Sequence, residues 1–233
     1  MDFKRCLFAP FNFILSQPVF LVPAIIPIVV NFVILFFGGA SLIAAFTAGG
    51  SITVGLVIMS LLAVLIAFVA EFVAHAMLVH MAYTYETTGR VNLEESLQVS
   101  WANLGKIFLA AGIVSVAAAV GLFFFVIPGL IVLLFSIFTV QEIVINSKEP
   151  VEAIKGSVEI VKTHFGNVLG YFILLLIIMM VITGILNLIP IVGPLAATLI
   201  TTPYSAISIT LVYLELTAPV EAEPVKAEVI AHE

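Results

Sequence analysis

The stretch "IFLAAGIVSVAAAVGLFFFVIPGLIVLLFSIFTVQ", residues 107–141, contains no charged side chain. A helix needs about 20 apolar residues to cross the hydrocarbon of a bilayer, so this stretch can hold two crossings. Pro128 and Gly129 lie near its middle, where they favour a turn between two helices. The pattern predicts a helical hairpin inserted in a membrane.

Two further charge-free runs extend this prediction to most of the chain. They cover residues 6–70 and 165–214, and each can also hold two crossings. Only 9% of the 233 residues are charged, whereas soluble domains carry about 25%. The runs lack the polar–apolar alternation of membrane strands. We therefore expect an all-α polytopic membrane protein with six transmembrane helices, at 18–46, 53–82, 105–125, 127–146, 166–187 and 192–214.

The basic residues predict the orientation of these helices. The turns expected at 47–51, 126–130 and 188–195 contain no Lys or Arg, so all basic residues fall on the other side of the membrane. Loops rich in Lys and Arg stay in the cytoplasm. The sequence thus predicts a multi-pass protein of the prokaryotic plasma (inner) membrane, with both termini in the cytoplasm.

Two segments between the expected hairpins have amphipathic helical patterns, at about 92–104 and 150–163. In the first, Leu93, Leu97 and Trp101 share one face. The apolar stripe of the second consists of Val151, Ile154, Val158 and Val161. Such helices commonly lie in the membrane interface with the apolar face in lipid, and we expect this on the cytoplasmic side.

A weak internal repeat accompanies these segments. A shift of 57 positions aligns "ESLQVS" (95–100) with "EAIKGS" (152–157) and Phe108 with Phe165. The prediction is three hairpins arranged as parallel repeats, at about 18–82, 105–146 and 166–214, in one membrane domain covering 1–216. Residues 217–233 are rich in Ala, Glu, Val and Pro, which favours a disordered, acidic cytoplasmic tail.

Glu71 and His75 form the candidate intramembrane polar site. An ionisable residue within a bilayer is a functional hypothesis by default, and a Glu–His pair could relay protons. Ser60, Ala67 and Ala74 share a helical face with Glu71, and small residues allow close helix packing, so we expect Glu71 to face the bundle interior. His75 lies one turn away, whereas His80 points to the opposite side. A structural hydrogen bond remains the alternative to a functional role.

The chain lacks the patterns of most other functional classes. There is no nucleophile elbow, Walker loop or Rossmann glycine motif, and we name no catalytic residue or cofactor. The single cysteine and the scattered histidines favour no metal site. The eight basic residues form no patch, which excludes nucleic acid as an expected partner.

The segment 125–166 has a more specific pattern. A Pro-Gly pair opens an apolar span, an acidic residue stands near its end, and Glu-Ala-x-x-x-Ser begins the amphipathic helix. These positions are Pro128, Gly129, Glu142, Glu152, Ala153 and Ser157. The pattern resembles a loose group of six-span prokaryotic membrane proteins of unknown function, which includes the YciC-like proteins and the membrane domain attached to some glycerophosphoryl diester phosphodiesterases.

This resemblance implies a six-span fold without a settled activity. The hydrolase domain of the phosphodiesterases has no counterpart in these residues, so none of its catalytic residues is carried over. We regard Pro128, Gly129, Glu142, Glu152 and Ser157 as candidate interfacial or structural residues. Glu142 is expected about one turn inside its span, where it can meet water or the next helix.

Three functional hypotheses follow from the sequence. The first is a non-enzymatic membrane module that binds membrane lipids or a partner membrane protein, which includes a second copy of itself. The second is a small transporter or proton-coupled carrier that uses Glu71 and His75. An intramembrane enzyme is third, because one Glu–His pair is little equipment for catalysis.

Overall fold

The computed structural model describes residues 3–47, 54–189 and 192–218, and within them the chain is helical without a strand. The α-helices are α1 (Phe3–Ser16), α2 (Val22–Thr47), α3 (Val54–Thr88), α4 (Leu93–Phe124), α5 (Val126–Phe135), α6 (Thr139–Asn146), α7 (Pro150–Thr163), α8 (Phe165–Leu186) and α9 (Val192–Thr217). A 3₁₀ helix, Pro18–Leu21, joins α1 to α2. Residues 48–51 of the turn expected at 47–51 and the tail from 219 onward lie outside the described residues.

Five stretches of the described chain are long and apolar enough to cross a membrane. They are α3 from Ile58, α4, α5 and α6 taken together, α8, and α9. A sixth candidate is the pair formed by Lys4–Ser16 and Pro18–Ile34, which is bent by 102°. The all-helical fold is therefore confirmed, with five to six stretches that are long and apolar enough to span a membrane.

The helices run back and forth between two ends of different composition. We call the end that holds α1, α7 and the turns 89–92 and 147–149 the charged end. The opposite apolar end holds the turn at Phe125 and residues 187–189. Among the described residues, the halves of α3, α4 and α9 nearest the apolar end carry no charged side chain. This asymmetry is the one that the basic residues predicted from sequence.

The buried core is concentrated toward the charged end. Phe20, Phe138, Tyr171, Tyr204 and Tyr213 are all at most 2% exposed, and they form one cluster with buried residues of α1, α3, α7, α8 and α9. Large apolar side chains are instead exposed toward the apolar end, with Phe123 at 86% and Leu188 at 79%. Lipid chains are as apolar as these side chains, so in a bilayer the hydrophobic effect does not drive the side chains to pack against one another.

The α4–α5 hairpin closes over a single residue, Phe125, whose backbone is extended. The sequence suggested that Pro128 and Gly129 form this turn. They lie instead in the first turn of α5. Proline is tolerated there because its missing N–H would have no helical partner. A side chain on Gly121 would lie 2.8 Å from the backbone nitrogen of Gly129, so two glycines allow α4 and α5 to touch.

Residues 93–104 are helical but do not form a separate interfacial helix. They are the first turns of α4, which continues unbroken to Phe124. The side-chain oxygen of Asn92 caps this helix by accepting the N–H groups of Glu94 at 3.0 Å and Glu95 at 3.3 Å. No proline follows before Phe124, so nothing in the chain interrupts the helix once it has started.

α7 is a separate helix, with the predicted bounds, but its fully buried face shares only Val161 with the predicted stripe. Ala153, Ser157 and Val161 are 0% exposed and pack against the protein, whereas Val151 is 51% exposed. The small residues at 153 and 157 let α7 lie close to the α5–α6 segment, which explains why this face was chosen.

Candidate functional site

The end of α6 places a charged pair at the charged end of the bundle. Glu142 lies one turn before the end of α6, with its side chain 3% exposed. Its Oε2 atom is 2.5 Å from Nζ of Lys148, whose side chain is 38% exposed. A carboxylate is removed from water only at high cost unless it is paired, so Lys148 is what allows Glu142 to be buried.

The turn after α6 brings Lys148 back over the helix. Ser147 has a φ of +55°, a left-handed conformation that is uncommon in residues other than glycine. This conformation ends α6 and lets the N–H of Lys148 donate to the carbonyl of Glu142 at 3.3 Å. Backbone and side chain of Lys148 therefore both contact Glu142.

A tyrosine from α9 completes the surroundings of Glu142. The Tyr213 hydroxyl donates to Oε1 of Glu142 at 3.1 Å and accepts the side-chain N–H of Asn146 at 2.6 Å. The same amide nitrogen lies 3.4 Å from Oε2 of Glu142. Both carboxylate oxygens thus have partners, which come from α6, the 147–149 turn and α9.

Gly156 of α7 makes room for the charged pair. A Cβ atom at this position would lie 3.0 Å from both the Glu142 carboxyl carbon and Nζ of Lys148. Such contacts are tighter than ordinary van der Waals distances, so glycine is the residue type that fits here without a shift. The helix that the sequence expected to follow Glu142 therefore contacts it directly.

A second lysine fixes the same turn from the side of α4. Nζ of Lys106 lies 2.8 Å from Oε1 of Glu149 and 3.3 Å from the carbonyl of Ser147. The 147–149 turn is thus held by two ion pairs, one to α6 and one to α4. It connects α6 to α7 in a defined position, although only three residues separate the helices.

These residues line a cleft of about 640 Å³, which we call the charged-end cleft. Its polar lining comes mainly from Tyr83, Glu142, Asn146, Lys148, Glu159 and Tyr213. Ile145, Ile160 and Leu214 add an apolar part. Among the described residues, the Glu159 carboxylate has no hydrogen-bond or ion-pair partner, and the Tyr83 hydroxyl forms no hydrogen bond. The cleft therefore combines charged, polar and apolar surfaces and keeps unused polar groups.

Ser157 has a structural position beside this cleft. Between α5 and α6 the chain leaves helical geometry at residues 136–138. The Ser157 hydroxyl accepts the N–H of Phe138 at 3.1 Å and donates to the carbonyl of Phe135 at 2.7 Å. One buried serine thus satisfies two backbone groups that the break in the span leaves without helical partners.

The expectation that Glu71 faces the bundle interior was wrong, whereas its role in a polar site stays a prediction. Its side chain is exposed, and no hydrogen bond joins it to His75 or to another residue in the described ranges. The face of α3 that is buried at this level carries Ala70, Val73 and Ala74 instead. The small residues therefore mark a face that only partly packs, since Ser60 is exposed.

The two histidines of α3 have different surroundings, and His75 does not form the proposed pair with Glu71. His75 is half-buried without a hydrogen-bond partner among the described residues, whereas His80 is 8% exposed and its Nδ1 lies 3.0 Å from the Ser96 hydroxyl. His80 thus joins α3 to α4. In the described part of the chain, no three His, Cys, Asp or Glu side chains are grouped to hold a metal ion.

A smaller charged group ties the amino-terminal helix to the rest of the charged end. Arg5 of α1 forms an ion pair with Glu86 of α3, and the Cys6 thiol donates to a Glu215 carboxylate oxygen at 3.1 Å. Cys6 itself is 1% exposed. These contacts anchor α1 on α3 and α9, whereas the charged-end cleft lies between α3, α6, α7 and α9.

Sequence reasoning found Glu142 and its helix neighbour α7 but missed most of the cleft. Glu152, which belongs to the same sequence pattern, is exposed at the start of α7 and does not line the cleft. Gly156 and Glu159 were visible only as part of the amphipathic pattern. Tyr213 lies 71 positions from Glu142, and no local signal in the sequence connects the two.

Comparison with known proteins shows the family to which the chain belongs. No protein of curated function and no solved structure matches the chain. The model of one family, described as "Domain of unknown function (DUF7847)", matches residues 9–220, a range that contains the complete charged-end cleft. The chain belongs to this family of proteins with a domain of unknown function.

Proposed function

We propose that this protein is a non-enzymatic membrane module that binds a membrane phospholipid in the charged-end cleft. The observation that carries the proposal is the mixed lining of the cleft. Lys148 offers a partly exposed ammonium group, and Ile145, Ile160 and Leu214 offer apolar surface. A phospholipid presents a phosphate and hydrocarbon together, so it complements both kinds of surface.

The proposed orientation places this cleft at the cytoplasmic surface of a prokaryotic plasma membrane. The charged end carries all the described Lys and Arg residues, and such ends stay in the cytoplasm. A lipid of the inner leaflet would then have its headgroup at the level of the cleft. Labelling a cysteine introduced at Glu94 with an impermeant maleimide tests the orientation, since only reagent on the cytoplasmic side should react.

The parallel-repeat organisation and the kinship with the YciC-like group belong to the same proposal. Gly129 and Gly193 each approach the residue seven positions earlier, Leu122 and Leu186 respectively, across the apolar-end turns. This common feature supports a shared origin of the last two hairpins. In such a design the hairpins supply a membrane scaffold, and the elements at the charged end supply the binding site.

A carrier that uses Glu71 and His75 receives less support. The two side chains share no hydrogen bond, and the Glu71 side chain is exposed. A relay needs groups within hydrogen-bonding reach or a bridging water. The paired groups at the charged end are Glu142, Lys148 and Tyr213, which hold one another in place.

Native mass spectrometry of the full-length protein released from mild detergent tests the lipid-binding proposal. The wild type should retain a phospholipid. Thr217→Trp should lose most of it, because Thr217 is exposed on the wall of the cleft and a large ring there would fill the space. Thr163→Trp is the matched control and should retain the lipid.

The two threonines are closely comparable. Each is exposed at the end of a helix, and each hydroxyl donates to the carbonyl four residues earlier, at 2.8 Å for Thr217 and 2.9 Å for Thr163. Only Thr217 lines the cleft. Wild-type protein without bound lipid, equal retention by both variants, or a second protein subunit in place of lipid would each overturn the proposal.

A further inference from the structure

The polar groups of the charged-end cleft are not those of a site for a simple anion. Two carboxylates, Glu142 and Glu159, face one lysine, Lys148. A phosphate bound to Lys148 would therefore lie among negative charges. A ligand that also carries a positive group would remove this conflict, because that group could pair with the second carboxylate.

The positions of the free groups suggest how such a ligand would be held. Glu142 already has Lys148, Tyr213 and Asn146 as partners, so Glu159 is the carboxylate that remains available. Glu159 lies three residues after Gly156 on α7, and residues at this spacing are neighbours with Cβ atoms about 5–6 Å apart. Since Nζ of Lys148 lies next to Gly156, a positive and a negative group stand roughly one helical turn apart.

Lys148 retains capacity for a ligand although it is paired. An ammonium group has three N–H donors, of which Glu142 takes one in this structure. Its side chain is 38% exposed, so the remaining donors can reach the cleft. The Tyr83 hydroxyl is another unused group on the same lining and can accept a hydrogen bond from a bound ammonium.

We infer that the cleft selects a zwitterionic phospholipid with a primary ammonium, as in a phosphoethanolamine headgroup, with the phosphate on Lys148 and the ammonium on Glu159. This inference rests on the proposed function and adds the headgroup class. A primary ammonium can donate hydrogen bonds to Glu159 and Tyr83, whereas a quaternary ammonium has no N–H to donate. A glycerol headgroup has no positive charge for Glu159.

The experiment is a competition between three phospholipids with identical acyl chains. The full-length protein, delipidated in detergent, receives equal amounts of the ethanolamine, choline and glycerol forms, and native mass spectrometry measures which ones it retains. The ethanolamine form should be retained about threefold to fivefold more than either competitor, the range expected when one ion pair is partly exposed.

With Glu159→Gln the three lipids should be retained about equally. Some lipid should stay bound, because Lys148 can still contact the phosphate. Glu152→Gln is the control on the same helix, since Glu152 is exposed and does not line the cleft. It should retain the wild-type preference. Thermal unfolding of each variant identifies a loss of fold.

The outcomes separate this inference from the proposed function. A preference for the glycerol or choline form, equal retention of all three lipids, or an unchanged preference in a folded Glu159→Gln protein would overturn the headgroup assignment and leave lipid binding intact. Retention of none of the lipids by the wild type would overturn the proposed function itself.

Discussion

The hydroxyl of Ser157 on α7 and the backbone N–H of Phe138 are 3.1 Å apart, and this hydrogen bond crosses from one helix to the break in another. The same hydroxyl donates to the carbonyl of Phe135 at 2.7 Å. The break between α5 and α6 is therefore completed by a side chain that lies about 20 positions further along the chain. It directs α6 toward α7 and so places Glu142 beside Gly156.

Ser157→Ala should consequently destabilise the protein. The change leaves the buried N–H of Phe138 and the partly buried carbonyl of Phe135 without a partner, which costs about 1–3 kcal/mol. Ser136→Ala, a change of the same kind within the break, should have little effect because no described residue bonds to the Ser136 hydroxyl. If the two variants unfold at the same temperature, Ser157 does not hold the break.

Thermal unfolding can be followed without introducing a probe. Cys6 is the only cysteine of the sequence and is 1% exposed in the fold. A thiol-reactive dye should therefore report unfolding through Cys6 alone. The dye is suited to stability comparisons between variants of this protein that keep Cys6 unchanged.

Removal of one partner from the Glu142–Lys148 pair should be more harmful than removal of both. Lys148→Met leaves a carboxylate that is 3% exposed without its cation, and we expect a loss of about 1–3 kcal/mol. The value is below that of a fully buried pair because the lysine is partly solvated. Adding Glu142→Gln should restore much of the stability, because the amide has no charge to bury.

A double-mutant cycle measures this coupling. The four proteins are the wild type, Lys148→Met, Glu142→Gln and the double variant, compared by thermal unfolding in one detergent. A double variant whose loss equals the sum of the two single losses would show that the pair has no net coupling. That result would contradict the role of Lys148 in allowing Glu142 to be buried.

Gly121→Ala should separate α4 from α5. The added Cβ atom would lie 2.8 Å from the backbone nitrogen and 2.9 Å from Cα of Gly129, and backbone atoms cannot turn aside as a side chain can. Overpacking of this kind costs about 1–3 kcal/mol, so the unfolding temperature should fall. Gly112→Ala on the same helix meets no atom within 4 Å. It should be neutral or slightly stabilising because alanine favours the helix.

The membrane fold could be predicted from sequence because long charge-free runs leave few alternatives. Residues 107–141 already predict a hairpin, and the positions of the basic residues predict which end of the helices is charged. The register of packing could not be predicted in this way. α7 buries Ala153 and Ser157 in place of the most apolar stripe, because its neighbour α6 offers a break and a carboxylate that small side chains can approach.

The candidate site was only partly accessible to sequence reasoning for a related reason. Glu142 stood out as an acidic residue within an apolar span, but its partners come from a turn and from a distant helix. The left-handed backbone of Ser147 directs Lys148 onto Glu142, and a serine in the sequence does not predict that conformation. Glu71 stood out equally well in the sequence but has no comparable set of partners.

Glu71→Gln should therefore be tolerated. Glu71 lies 17 residues after the first residue of α3, about 26 Å along the helix at 1.5 Å per residue. A bilayer core is about 30 Å thick, so Glu71 stands about 4 Å below the headgroup region of the charged end when the start of α3 lies at the opposite surface. An exposed carboxylate at that depth meets water and requires no protein partner.

The variant should unfold at the wild-type temperature and retain the same phospholipid in native mass spectrometry. Thr217→Trp, a change within the cleft, should instead lose the lipid. The two variants therefore distinguish the charged-end cleft from the Glu71 position as the site of lipid binding. Proton flux into liposomes that depends on a carboxylate at position 71 would contradict this prediction. It would support a carrier function that depends on Glu71 of α3.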